Sequence, residues 1–365
     1  MLTIDLSAIQ NNWLRLASMT SASVAGVIKA NAYGLGAKEV GTALYAAGCK
    51  EFFLATYDEA LDARSFLPSD AVIYMLGGLR CVDLADLHNE RIIPVLCSGF
   101  DIEQWLKLKK INSSVCQPAL KINTGMNRFG IDSLEFSNLC ADIKQITALR
   151  PALIMSHLAC ADDERHDKNT EQLNKFLISV EQIRKKLPHI RASLANSSGI
   201  FLGNAWHFDL VRPGAALYGL NPAPLQQNPM SQVLKLLLPI RQIRTLSLSE
   251  SVGYGATATL PVGTKLAVVS GGYADGLHRT LGAQPAGILY GHRVNVVGRI
   301  SMDSMIFDIS AVSASEEELM NSSIEVIGEQ LPLDELMQAN QQNSGYEVLT
   351  SLGDRFKRSY IGGDL

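Results

Sequence analysis

This chain of 365 residues lacks any two cysteines spaced to share a metal or close a small loop. Its six, Cys49, Cys81, Cys97, Cys116, Cys140 and Cys160, are scattered singly, without a CxxC. That argues against a disulfide framework or zinc site and for a reduced, cytoplasmic protein. Charge excess is also lacking: 32 Lys and Arg stand against 36 Asp and Glu. There is then no electrostatic case for nucleic acid or an anionic membrane as partner. The opening MLTIDLSAIQNNWLRL has neither a basic start nor a continuous apolar core. It reads as a short strand and a helix capped near Asp5 or Ser7, not as a signal peptide or transmembrane segment. Nucleotide motifs are missing too. Gly34, Gly36 and Gly41 do not fit the dinucleotide fingerprint, and no P-loop, HExxH or GxSxG occurs.

What is present is alternation. Eight short apolar runs, at 24–28, 52–55, 71–76, 92–96, 119–122, 152–157, 192–195 and 208–211, are separated by helix-period stretches. The clearest helix carries Leu173, Phe176, Leu177, Val180, Ile183 and Leu187 on one face and is closed by Pro188. Eight βα units in this length predict an α/β fold, a (β/α)8 TIM-type barrel over residues 1–230; an open parallel sheet is the alternative. After the Pro/Gln/Asn-rich connection at 221–230, β-branched alternating runs predict a mainly-β domain over 231–365.

In such a barrel the functional side chains gather at the carboxyl ends of the strands. Lys29, Lys121, His157 and Arg212 fall at those ends, with Tyr33 and Arg128 just beyond. The segments Asn196–Gly199 and Gly214 follow the last two strands, where barrels of this type hold phosphate. A lone Lys at a strand end is usually a solvated head on a buried stem. Several cations on one rim instead suit an anionic ligand, a phosphate or a carboxylate.

The stretches VIKANAYGLG, LKINTGMNRFGI, ANSSG, DLVRPGAALYGL, SVGYGAT, SGGYADG, GRISMD and GDRFKRSY occur in that order across nearly the whole chain. Together they resemble the bacterial alanine racemases, enzymes with a barrel, a C-terminal β-domain and a pyridoxal 5'-phosphate cofactor. The resemblance implies interconversion of L- and D-alanine by two bases, Lys29 and Tyr254, on opposite faces of the substrate carbon. Lys29 would also hold the cofactor as a Schiff base. Tyr254 would reach the other subunit's barrel in a head-to-tail homodimer with shared sites. Arg212 would bond the pyridine nitrogen, and Tyr33, Ser197, Gly214 and Tyr360 would hold the phosphate. Arg128 and the backbone amide of Met302 would take the substrate carboxylate. His157 would sit between Tyr254 and Arg212, Tyr273 and Asp303 would line the entrance, and Lys121 would be carbamylated. No metal is implied.

Chemistry supports these roles. Racemisation removes a proton from one face and delivers it to the other, so two different bases are expected. Lysine and tyrosine start near pKa values of about 10.4 and 10, and both need lowering by roughly 3 units, about 4 kcal/mol each. A lysine is required at position 29 because arginine forms no Schiff base. Guanidinium donates without giving up its proton, so Arg212 would leave the ring nitrogen unprotonated, which suits a racemase better than a decarboxylase. As a carbamate, Lys121 would become an anion able to hold Arg128.

Three positions depart from the family pattern: Leu35 stands where His is common, Ser301 where Cys is frequent, and Lys357 where Pro is frequent. A racemase for serine or a broader range of amino acids is the nearest rival. Broad-range periplasmic members carry a signal peptide, whereas this chain starts at its first strand. A non-catalytic pyridoxal-phosphate carrier would lack the residues from 231 onward, including Tyr254. D-alanine supply for peptidoglycan and D-alanine catabolism both fit.

Overall fold

The computed structural model describes residues 1–80, 87, 90–111, 116–278, 285–338 and 345–363. Cys81 lies outside them. The described residues form two compact units. Residues 9–32 and 36–231 make one, and residues 1–8, 33–35 and 232–363 make the other.

Strand β1 (Leu2–Asp5) comes first, and the Asp5 carboxylate accepts from the Ala8 amide at 2.9 Å to cap the helix Leu6–Ser18. In the first unit, β2 (Ser23–Val24) and β3 (Gly26–Val27) form one run interrupted at Ala25. Seven parallel strands follow in order: β3, β4 (Glu51–Leu54), β5 (Val72–Met75), β6 (Ile92–Leu96), β7 (Ala119–Lys121), β8 (Leu153–Met155) and β9 (Arg191–Ser193). Strand β10 (Leu210–Val211) pairs in parallel with β2. The amides of Asp209 and Arg212 donate to the carbonyls of Ala192 and Ala195, at 3.0 and 2.9 Å, joining β10 to β9. The ring is therefore closed: the unit is a TIM-type barrel, and all eight apolar runs of the sequence supply its strands.

The barrel strands are buried on both faces, which is why they read as unbroken apolar runs. Strand β4 is buried throughout, and the Phe53 ring stacks on Tyr74 at 4.4 Å. The one carboxylate of β4, Glu51, is 9% exposed and paired. Arg191 donates to both of its oxygens at 2.9 and 2.8 Å, and the Tyr74 hydroxyl donates at 3.1 Å. The helix Asp167–Arg184 departs from the expected face in one respect. Leu177 is 46% exposed, and the buried face is completed by Asn169 and Gln172 instead. Leu187 lies beyond the helix end.

The second unit is mainly β. A long strand, β11 (Leu234–Thr245), pairs along one side with β1 and then with β14 (Lys265–Ser270). On its other side it pairs with β18 (Ser323–Ile327). Strands β15 (Pro285–Leu289), β16 (His292–Val296) and β17 (Ser304–Asp308) complete an antiparallel circuit between β18 and β14. The hairpin β12 (Glu250–Val252) and β13 (Ala258–Leu260) stands as a separate two-stranded sheet. Strand β1 lies between β11 and the last strand, β19 (Arg358–Ile361), with Leu2 and Ile4 fully buried. Among the described residues, no helix is long and apolar enough to cross a membrane.

Candidate active site

Strand β3 delivers Ile28 and then Lys29, and the backbone next does something rare. Ala30, Asn31, Ala32 and Tyr33 all take left-handed conformations, with φ of 52, 53, 51 and 56°. Each such residue with a Cβ costs about 1–2 kcal/mol against the right-handed form. Local hydrogen bonds offset that cost. The Ala32 amide donates to the Ile28 carbonyl at 2.9 Å and Gly36 to the Asn31 carbonyl at 2.9 Å. The Asn31 side-chain oxygen takes the Ala37 amide at 2.8 Å, at the start of the helix Ala37–Ala46.

The Lys29 amine is partly buried at the barrel rim. Desolvation and then the Arg128 guanidinium lower its pKa, and Glu59 opposes them. Lys121, at the end of β7, is 7% exposed, with its ammonium 5.6 Å from the centre of the Phe129 ring. Burial brings its pKa down to about 8; Cys97 opposes this, while Arg212, Arg128 and Lys29 add to it. His157, at the end of β8, is held well below its usual pKa. Burial is the main cause, followed by Arg212, Lys121, Arg128 and Lys29. The imidazole is therefore neutral near pH 7. Arg128 is exposed on the loop after β7, where the Asn123 side chain takes the amides of Gly125 and Asn127 at 3.1 and 3.0 Å.

Arg212 is 4% exposed, and burial lowers its pKa to about 9. It donates to the Ser193 hydroxyl and, at 2.5 Å, to the Ser156 carbonyl. Both are neutral acceptors, and among the described residues no carboxylate forms an ion pair with it. The Ser197 hydroxyl accepts from the amides of Gly214 and Ala216 at 3.0 and 3.1 Å, so the ends of β9 and β10 meet there. The barrel unit thus brings together Lys29, Lys121, Arg128, His157 and Arg212, and separately pairs Ser197 with Gly214.

The remaining predicted residues lie in the β unit. Tyr33 is buried with its ring 6.2 Å from that of Tyr346, and burial pushes its hydroxyl pKa up. The Tyr360 hydroxyl donates to the Leu35 carbonyl at 3.0 Å. Leu35 is fully buried, an environment that suits an aliphatic side chain. Next to it Gly34, at φ 84°, has no room for a Cβ, which would stand 2.4 Å from the Leu349 carbonyl oxygen. Tyr254 sits in the turn between β12 and β13 and is 68% exposed. Tyr273 and Ala274 donate backbone amides to the carbonyls of Ser301 and Met302, both at 3.1 Å. Met302 is 53% exposed. Asp303 pairs with Arg355 at 2.7 Å, and Arg355 also reaches the buried Asp275 at 3.2 Å. Lys357 is exposed, and its carbonyl takes the Leu2 amide at 3.1 Å, a backbone role that does not depend on the side chain. Nothing in the structure explains serine at 301.

Sequence reading passed over three contributors. The buried Gln172 donates to Thr124 and the His157 carbonyl, at 3.0 and 2.9 Å, and accepts from the Ala159 amide at 2.8 Å. It thereby ties the loops after β7 and β8. Ser193 orients Arg212. Glu59 bonds the Ala30 amide. The only sequence signal for any of them is Thr56-x-x-Glu59, which marks a helix start.

A closed parallel barrel whose rim carries a desolvated lysine amine among further cations is the architecture of a class of enzymes that act on anionic ligands. Such a rim suits an anionic ligand and presents an amine of the kind that condenses with a carbonyl. The family models for the alanine racemase N-terminal domain and C-terminal domain match residues 4–222 and 233–360. An alanine racemase of Rhodospirillum rubrum is 45% identical over 364 residues, 99% of this chain and 96% of that one. A catabolic alanine racemase of Agrobacterium fabrum is 41% identical, over 99% and 92% of the two chains. The crystal structure of alanine racemase from Bartonella henselae, with covalently bound pyridoxal phosphate, aligns with a TM-score of 0.92. It is 36% identical over 99% of both chains. The biosynthetic alanine racemase of Pseudomonas aeruginosa aligns at 0.87 with 31% identity, again over 99% of both. This chain belongs to the alanine racemase family.

Proposed function

We propose that the protein interconverts L- and D-alanine, with pyridoxal 5'-phosphate as its cofactor. The observation that carries this reading is Lys29: a strand-end amine of lowered pKa, facing a cluster of cations in the barrel unit. The residues present fit such a group. The surplus of positive charge suits a cofactor and a substrate carboxylate that carry negative charge, and buried Arg212, bonded to neutral oxygens, still suits an acceptor such as a ring nitrogen. When bound, the cofactor supplies an aldehyde for the lysine and a conjugated ring that stabilises negative charge at the substrate carbon.

Lys29 Nζ would hold the cofactor and exchange a proton on one face, and Tyr254 would do so on the other. Tyr33, Ser197, Gly214 and Tyr360 would hold the phosphate, and Arg128 and the Met302 amide the substrate carboxylate. Neutral His157 would orient the tyrosine, and Tyr273 with Asp303 would limit access. An amine titrating near 8 has a reactive neutral fraction at pH 7. Lys121 would add carbon dioxide through a new N–C bond with loss of one proton, and the resulting anion would hold Arg128. The high exposure of Tyr254 supports service to a second subunit in a homodimer. Five unpaired cysteines among the described residues support a cytoplasmic setting. Relatives are named for both catabolic and biosynthetic roles, and the reaction runs both ways.

The test is loss of optical activity and Cα-hydrogen exchange across single enantiomers of alanine, serine and larger amino acids. Alanine should be turned over well ahead of the others, and Tyr254→Phe should impair proton removal from the L enantiomer at least about tenfold. Equal turnover of several amino acids would favour the broad-range reading. Cofactor binding without any exchange would leave only a carrier.

A further inference from the structure

The helix Tyr57–Phe66 opens with a capping box in which Glu59 accepts from the Thr56 amide and Thr56 Oγ1 accepts from the Glu59 amide, both at 3.3 Å. A capping box needs one carboxylate oxygen. Glu59 uses Oε2 for it and for the Ala55 amide at 2.8 Å, at the end of β4. The second oxygen, Oε1, leaves the box and takes the Ala30 amide at 2.8 Å. Ala30 is the first left-handed residue, directly after Lys29.

We propose that Glu59 is a positioning residue for Lys29, clamping the start of the left-handed turn to the end of β4 while setting a negative charge beside the amine. The proposal rests on Lys29 being the reactive lysine. Four titratable or cationic groups act electrostatically on that amine: Glu59 from the helix after β4, Arg128 and Lys121 from β7 and its loop, and His157 after β8. Glu59 is the one acid among them, and it opposes the lowering of the lysine pKa by burial and Arg128. Two tasks follow from one carboxylate. It fixes the direction in which the strand releases Lys29, and it counters part of the effect of the neighbouring cations on the amine.

The experiment uses the full chain freed of cofactor, with formaldehyde and cyanoborohydride as amine probe and peptide mass spectrometry as readout. In Glu59→Gln the Lys29 amine should lose its proton at lower pH, so labelling of Lys29 at pH 7 rises about threefold or more. Exposed Lys38 in the same sample should be unchanged, and Glu59→Asp should return Lys29 toward the wild-type value. Equal Lys29-to-Lys38 ratios in wild type and Glu59→Gln would overturn the proposal, since a purely structural clamp would not move that ratio. Should Glu59→Gln fail to fold, hydrogen exchange in the wild-type chain decides. Exposed Ala30 should be protected through its bond to Glu59, and free exchange there would overturn the proposal. Trapping pyridoxal phosphate on the wild-type chain with borohydride is the separate control. No adduct at Lys29 would defeat the functional reading without bearing on the labelling ratio.

Discussion

Lys121 shows what one residue contributes against its own interest. It is 7% exposed and loses its proton near pH 8, whereas an unfolded lysine holds on to about 10.4. Below pH 8 the folded chain therefore carries the whole cost of the buried charge. Between about 8 and 10.4 the unfolded chain binds more protons, so stability rises with pH by up to about 3 kcal/mol. Lys121→Met should make the cofactor-free chain more stable to urea at pH 7 and flatten that rise. Bicarbonate should flatten it in the wild type by converting the amine to an anion. A wild-type slope unchanged by either treatment would remove Lys121 as the source. Lys29, Lys121, His157 and Arg212 were legible in the sequence because each stands at or near the end of an apolar run. Glu59 and Gln172 were not, because the bonds that tie them to the site, to the Ala30 amide and the His157 carbonyl, join loops distant in sequence, which no local pattern encodes.

Among the elements, the left-handed turn after Lys29 carries the most strain. Asn31 is its key residue: its carbonyl takes the Gly36 amide and its side chain takes that of Ala37. Gly36 precedes the helix Ala37–Ala46 without a side chain to cap it. Asn31→Ala should cost about 1–2 kcal/mol in urea denaturation, the value of a lost helix cap in a residue type less tolerant of positive φ. An unchanged midpoint would mean that the backbone bonds hold the turn alone. The eight barrel strands were readable because burial on both faces leaves no polar interruption. The turn was not, since Ala-Asn-Ala-Tyr does not prescribe left-handed geometry and only Gly34 and Gly36 hint at it. The misplaced Leu177 has a similar origin. Periodicity ranks Gln172 as a surface residue, yet its amide is satisfied in the interior.

At the scale of the whole molecule, Lys29 belongs to the barrel unit and Tyr254 to the β unit, where it is exposed. If each site draws on two chains, mixing inactive Lys29→Ala and Tyr254→Phe proteins should restore up to about a quarter of wild-type activity after subunit exchange. No recovery despite demonstrated exchange would argue against sharing. The β unit carries a constraint of another kind. Strand β1 sits between β11 and β19, so residues at the start of the chain pair with Arg358–Ile361, roughly 350 residues later. At about 5–20 residues per second, synthesis of the intervening chain lasts roughly 20–70 s. Throughout that interval Leu2 and Ile4 have no finished sheet to enter. The barrel segments emerge on the ribosome first; the N-terminal strand gains its partner β11 only after they are made, and its other edge stays open until β19 emerges near the end of translation. Until then that edge is open to pairing with other chains.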